Sequence, residues 1–224
     1  MSERFGAVQS GQRKSLVCGV LAAEIARIPR SPPGLPAMQN PQFRAALQRY
    51  ARIRKSAYDA VTHDALASGL VAAPLRLADC DPHTLSIWRA TWTDPHPSGW
   101  GGWDWEPLLR RAWRHPSAFQ LAIWSNKVLC GLAVGRVSGE DKSGQRNAVF
   151  VDNIESSHDP GHPLRGAIAT LVIDAADTYG RALQASHVRL VEPLPGVLWM
   201  YERLGFATVW RQGRALYCER RIEP

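Results

Sequence analysis

Hydrophobic positions along the chain follow two rhythms, one of three to four residues and one of two. Phe43, Leu47, Tyr50, Ile53, Ala57 and Val61 keep the first, and predict an amphipathic helix over roughly 42–67 with a basic outer face. "APLRLA" then reads as a short strand. It leads into "DPHTLSIWRATW", a helix that Asp81 caps and Pro82 starts, with Leu85, Trp88 and Trp92 as its apolar stripe. The segment "TDPHPSGWGGWDW" holds too much Gly, Pro and Trp for a regular element. Behind it "DWEPLLRRAW" is a second helix, with Trp105, Leu108, Leu109 and Ala112 facing inward.

The two-residue rhythm takes over at Ala118. "AFQLAIWSNKVLCGLAVGRVSG" alternates on both sides of Ser125-Asn126-Lys127, and Asn126 tolerates the positive φ that such a turn needs, which predicts a hairpin. "NAVFVDNIES" is a further strand. Helical spacing then returns in its strongest form, through Leu164, Ile168, Leu171, Val172, Ala175 and Tyr179, with Gly180 as the closing residue. "ASHVRLV" is a strand, "PGVLWMYERLG" a short helix, and "FATVWRQGRALYCERRI" a hairpin turned at Gln212-Gly213. This order of elements implies a mixed α/β (α+β) sheet, in which hairpin strands precede one β-α-β crossover that returns parallel and right-handed. Residues 28–41 hold five prolines and read as a linker. The chain accordingly divides into a basic N-terminal extension, 1–72, and a main domain, 73–224.

Composition narrows the class. With 45% hydrophobic and 21% charged residues the 224-residue chain is ordinary globular material, and no apolar run reaches membrane-spanning length. The run behind Arg13-Lys14 imitates a secretion signal only until Glu24 interrupts it, so a cytoplasmic location is expected. The whole net charge of +7 sits in residues 1–60, where ten Lys and Arg face three acids. Such an excess suits an anionic partner, and RNA is a candidate for residues 42–60. Cys18, Cys80, Cys130 and Cys218 are scattered without metal-ligand spacing, which reads as reduced, packed thiols and no metal.

"YERLGF" at 201–206 follows a strand and sits at the end of a helix. It is similar to the Tyr-Glu-Lys-Leu-Gly-Phe signature of GNAT-type (Gcn5-related) N-acetyltransferases. With the element order, it makes about two thirds of the chain, Pro74 to Ile222, resemble that family. The resemblance implies a mostly antiparallel sheet in which two neighbouring parallel strands splay, here those bearing "FVDNIES" and "HVRLV". Acetyl-CoA, or another acyl-CoA, would enter the gap as co-substrate. The implied activity is N-acyltransfer to a primary amine, small or peptidyl, by direct attack. Tyr201 is the implied proton donor to the departing thiolate, because a phenol with a pKa of about 10 is protonated at neutral pH. A core aromatic is its plainer role.

The same resemblance implies a CoA-binding set of Ile154 and Ser156 on the first splayed strand and Leu164, Arg165, Gly166 and Ala167 before the most periodic helix. Arg165-Gly166 is similar to the Arg-Gly of the family's phosphate loop, and a helix N-terminus suits an anion. Pro163 stands where that loop carries Gln or Arg, Ile168 where it carries a small residue, and Leu194 where many members carry Asn. Read without the family, "HPLRGA" is a helix started by proline. Glu155 is the implied general base and Asp152 an acceptor-binding carboxylate, with His158 a titratable neighbour. An odd separation puts Asp152 and Glu155 on opposite faces of a regular strand. Trp100 and Trp103, flanked by glycines, are the acceptor-binding aromatics. With Trp105 and with Asp94, Asp104 and Glu106 they would form an aromatic, acidic wall for a cationic amine or a flat ring. Two other readings stand beside this one: a GNAT-like binding module without catalysis, and an acetyltransferase directed to aminoacyl-tRNA by the basic arm. A homodimer is compatible with any of them.

Overall fold

Asn40 accepts a hydrogen bond from the N–H of Gln42 and Pro41 opens the first turn, so the chain enters α1 (Pro41–Ala67) with a capped end. A computed structural model describes residues 40–72, 74–92, 101–139, 147–213 and 215–223. The proline-rich segment and the basic residues before position 40 lie outside these, as do Asp94 and Trp100.

After α1 come β1 (Arg76–Ala78), α2 (Pro82–Thr91), α3 (Trp105–Ala112), the hairpin of β2 (Phe119–Ser125) and β3 (Val128–Val137), and β4 (Ala148–Ser156). Then follow α4 (Ile168–Ala182), β5 (His187–Val191), a 3-10 turn at Pro195–Val197 continuing into α5 (Leu198–Arg203), and the hairpin of β6 (Thr208–Gln212) and β7 (Ala215–Arg221). The order is the one the hydrophobic rhythm predicts. Among the described residues seven strands make one sheet, β1-β2-β3-β4-β5-β7-β6, and only the β4–β5 pair is parallel. Local chemistry sets the joints. Asp81 and Thr84 cap α2 reciprocally, and Asn126 turns the first hairpin at φ 53°.

Each face of the sheet has its own core. On one, Ala57, Tyr58, Val61 and Ala65 of α1 join Leu171, Val172, Ala175 and Tyr179 of α4 over Val149, Val151, Val188 and Leu190. On the other, Leu85, Trp92, Trp105 and Leu109 from the segment of α2 and α3 cover Ala122, Trp124, Leu132 and Val134 of β2 and β3.

Three local expectations change. The outer face of α1 is not uniformly basic, since Arg54 is only 2% exposed. Its guanidinium grips both oxygens of Asp79, at 2.6 and 2.8 Å, and also donates to the carbonyls of Pro116 and Ala118. Lys55 pairs with Asp59, which leaves Arg44, Arg49 and Arg52 as the exposed arginines of this helix. Next, α4 starts at Ile168 rather than at Leu164, because Gly166 adopts φ 84° and residues 163–167 form turns. Its other end passes Gly180. Gln184, at φ 57°, closes it instead, with Ala185 N–H bonding to Gly180 O and Gln184 N–H to Arg181 O. Gly180 is a packing site, where a Cβ would stand 2.5 Å from Ile222.

Candidate active site

β4 and β5 run side by side for four residue pairs, from Ala148–His187 to Val151–Leu190. Beyond Val151, β4 continues to Ser156 with β3 as its one strand partner among the described residues. The chain leaves β5 after Val191 through Glu192, at φ 50°, and coils into the turn before α5. The parallel pairing therefore stops at Val151–Leu190 and leaves the edge of β4 along Asp152–Ser156 without a strand partner among the described residues, an opening we call the cleft.

A bulge sits where the cleft begins. Val134 faces Asn153 and Gly135 faces Val151, so Asp152 is an extra residue without a cross-strand partner. Gly135 makes this possible, because a Cβ there would lie 1.9 Å from the carbonyl oxygen of Phe150. The extra residue shifts the alternation by one. It overturns the expectation that Asp152 and Glu155 point to opposite faces: Asp152 pairs with Arg136 of β3 and Glu155 reaches Trp105 of α3, both on the side of α2 and α3.

Glu155 is not an open base. It is 4% exposed, and its carboxylate accepts from Trp105 Nε1 at 2.5 Å, from the N–H of Gly102, and meets His158 Nε2 at 2.9 Å. His158 in turn stacks on Trp92 with ring centroids 5.6 Å apart. The paired glycines serve this network. Gly101 and Gly102 have φ 99° and 74°, and a Cβ on Gly101 would lie 2.6 Å from Glu155 Oε1. The carboxylate thus anchors the loop before α3 to the end of β4. Trp105→Phe keeps the ring but deletes one donor to a buried charge. It should cost about 1–3 kcal/mol of stability, read as a lower urea midpoint with an unchanged slope.

The expected acidic wall is also corrected. Asp104 caps α3 by accepting from the N–H of Glu106, and Glu106 is ion-paired with both Arg89 and Arg110. These two arginines, hydrogen-bonding to it, hold the Glu106 carboxyl below its usual range. Trp103 is 45% exposed, and Trp105 is fully buried as its helical position predicts.

Asp152 has a different setting. Burial pushes its carboxyl up, against the opposing pull of Arg136 and of Arg111 on α3. Arg136 also lies 4.1 Å over the ring of Phe150, whose other neighbours are Arg189 at 5.6 Å and the edge of Tyr217 at 6.3 Å. These residues, with Glu219 paired to Arg189, are half-buried on the face of β4, β5 and β7.

The far end of the cleft meets the start of α4. Ala167 occupies the cap position, and among the described residues no side-chain cap hydrogen bond is made to the N–H groups of the first turn. Ile154 packs against the core and Leu164 is buried in it, while Arg165 is exposed and donates to the carbonyl of Pro160. Ser156 Oγ is 2.9 Å from Nε2 of His162, a residue 4% exposed whose Nδ1 is buried without a partner among the described residues. Burial, helped by Arg165, lowers the pKa of His162. Neither periodicity nor motif pointed to it. Its only sequence trace is a histidine directly before the Pro-Leu-Arg-Gly turn.

α5 carries Tyr201 and ends in a Schellman motif. Phe206 N–H bonds to Tyr201 O and Gly205 N–H to Glu202 O, with Gly205 at φ 84°. Tyr201 and Phe206 meet edge to face, centroids 6.1 Å apart, and Phe206 is buried. The phenol is half-buried, and its hydroxyl has no hydrogen-bond partner among the described residues. Burial, with Cys218 nearby, pushes its pKa up to about 12.

No family model matches the sequence, and no curated protein matches it either. Solved structures do match in three dimensions. FeeM, an N-acyl amino acid synthase from uncultured soil microbes, aligns with a TM-score of 0.50 at 13% identity, over 67% of this chain and 93% of that one. The chain has the GNAT fold. Other GNAT-like matches include Ard1 from Thermoplasma volcanium, with a TM-score of 0.49, 12% identity and coverage of 67% and 99%. The ribosomal-protein-S18-alanine N-acetyltransferase from Escherichia coli gives 0.46, 16% identity and coverage of 67% and 95%. In GNAT terms the cleft, the α4 N-terminus and α5 are the three elements from which the resemblance builds an acyl-CoA site. The residues here suit such a group, with an uncapped helix start, an orphaned buried Nδ1 at the adjoining turn and an unpaired strand edge. Among the described residues, no cluster could hold a metal ion and no helix is long and apolar enough to cross a membrane.

Proposed function

We propose that the protein is an acyl-CoA-dependent N-acyltransferase that moves an acetyl group to a primary amine. The observation that carries this reading is the β4–β5 pairing that ends at Val151–Leu190 beside an uncapped helix start. Bound there, acetyl-CoA would supply an acyl group activated as a thioester. The free edge of β4 from Asp152 to Ser156 offers backbone groups to the amides of the pantetheine arm, and Ile154 lines it. The turn Leu164–Ala167 and the first N–H groups of α4, with the Arg165 side chain, receive the pyrophosphate. Pro163 contributes no N–H to this cradle. His162 holds Ser156 and so fixes the turn against the strand end.

Tyr201 donates its proton to the departing thiolate, and a phenol with a raised pKa keeps that proton through the physiological range. Asp152, with Glu155 engaged elsewhere, is the carboxylate of the cleft that receives the acceptor ammonium. Directly or through water, it takes the proton that the ammonium must lose before the neutral amine attacks the acetyl carbon. Trp103 borders the same entrance.

Calorimetry with acetyl-CoA tests the reading. A Kd in the micromolar range is expected, and undetectable binding by the full chain would end it. Binding without acylation of any amine would favour the non-catalytic module, which the proline in the phosphate turn and Leu194 in the place of the family's Asn also favour.

A further inference from the structure

We propose that the acceptor amine also carries a carboxylate, as an α-amino acid or a peptide acid does, and that Arg136 and Arg111 bind that carboxylate while Asp152 holds the ammonium. This rests on the transferase reading and names its substrate class.

The argument starts from one cross-strand row. Arg136 of β3 faces Phe150 of β4, which faces Arg189 of β5, which faces Glu219 of β7. The ring of Phe150 lies beneath both guanidinium groups, so its face is already given to cations. A cationic acceptor finds no open aromatic face there to stack on. Charge points the same way. Glu219 is held by Arg189 at 2.8 Å, and Glu106 on α3 is held by Arg89 and Arg110. Asp152 is paired as well, with Arg136. Of these three carboxylates, however, it is the one on the stretch of β4 that β5 no longer covers, and the exposed Arg111 of α3 adds its charge there.

Arg136 has capacity to spare. Its Nη1 donates to Asp152, and its remaining donors have no partner among the described residues; the side chain is 43% exposed. A guanidinium carries five donors and prefers to grip a carboxylate through two of them. A zwitterion, whose ammonium and carboxylate are separated by one carbon, can lie antiparallel on the Arg136–Asp152 pair. A polyamine would bring its extra positive charges against Arg136, Arg111 and Arg189. Position completes the case, because Asp152 is the bulge residue at which β5 departs, beside the point where the thioester would sit.

The test uses the full chain, acetyl-CoA and matched acceptors: L-phenylalanine against phenethylamine, glycine against methylamine, and spermidine as the polycation. The carboxylated member of each pair should show kcat/KM higher by about tenfold or more, with spermidine poorest. Arg136→Met should bring each ratio to within about threefold of one, chiefly through KM of the acid. Arg111→Ala, at an exposed position, should reduce it less. Acetyl-CoA affinity within about twofold of the parent shows that each variant is folded. Equal or better turnover of phenethylamine or spermidine overturns the substrate class and leaves the transferase standing. A preference that survives Arg136→Met overturns the assignment of the carboxylate to Arg136. A chain that binds acetyl-CoA but acylates none of these amines overturns the substrate class and favours the non-catalytic module. Failure to bind acetyl-CoA removes the transferase itself, and this proposal with it.

Discussion

Tyr201→Phe should lower kcat by about a hundredfold while acetyl-CoA binds within about twofold of the parent affinity. The substitution removes one hydroxyl and nothing that builds the fold. The edge contact with Phe206 is made by the ring, and the two hydrogen bonds that close α5 are made by backbone groups. What is lost, on the proposed transferase reading, is the proton source for the thiolate. Burial, and then Cys218, raises the phenol to about 12, so the neutral donor form persists well above neutral pH. An alkaline fall in kcat through this group should therefore begin later than a free phenol's, whose midpoint is about 10. Rapid-quench measurement of the acyl-transfer step separates this from product release. Unchanged turnover in the variant would take Tyr201 out of the mechanism.

Arg54→Ala should destabilise the protein by about 3 kcal/mol, the low end for breaking a buried ion pair, since Asp79 keeps 32% of its side chain in solvent. Four hydrogen bonds disappear at once, and the carbonyls of Pro116 and Ala118 lose a donor. Burial alone would lower the pKa of Arg54; the hydrogen bonds and charge of Asp79 more than reverse this, so the guanidinium stays charged. Asp79→Asn keeps part of the geometry and should cost less. Urea unfolding of the three proteins checks the order, and a value for Arg54→Ala below that for Asp79→Asn would show that the cluster does not hold α1 in place.

What the sequence made legible was whatever depends on neighbours in the chain. The stripe of α2 behind Asp81-Pro82, the turn at Asn126 and the Leu-Gly-Phe exit from α5 all rest on interactions within six residues, and all three form. The β-α-β crossover was legible too, because chirality leaves one way to make it. The site was less so. Opposite faces for Asp152 and Glu155 follow from a regular strand, and one inserted residue reverses the inference; its only trace is Gly135, lying in the partner strand. Glu155 seemed free because its partners, Gly102, Trp105 and His158, come partly from a loop some 50 residues earlier. Arg54 was assigned to a solvent face for the same reason, with Asp79 25 residues away. Periodicity reports which side of an element is apolar, and says nothing of a charge that finds its counter-ion across the fold.

The seat of α1 bears on how this protein can be shortened. A chain begun at residue 73 would strip Tyr58, Val61 and Ala65 from the surface of α4 and leave Asp79 with no guanidinium to neutralise it. The newly bared strip would be greasy and sticky, and such a truncate should precipitate or self-associate rather than persist as a smaller folded chain. Trimming should stop ahead of Asn40, whose amide oxygen starts the helix that seals this side.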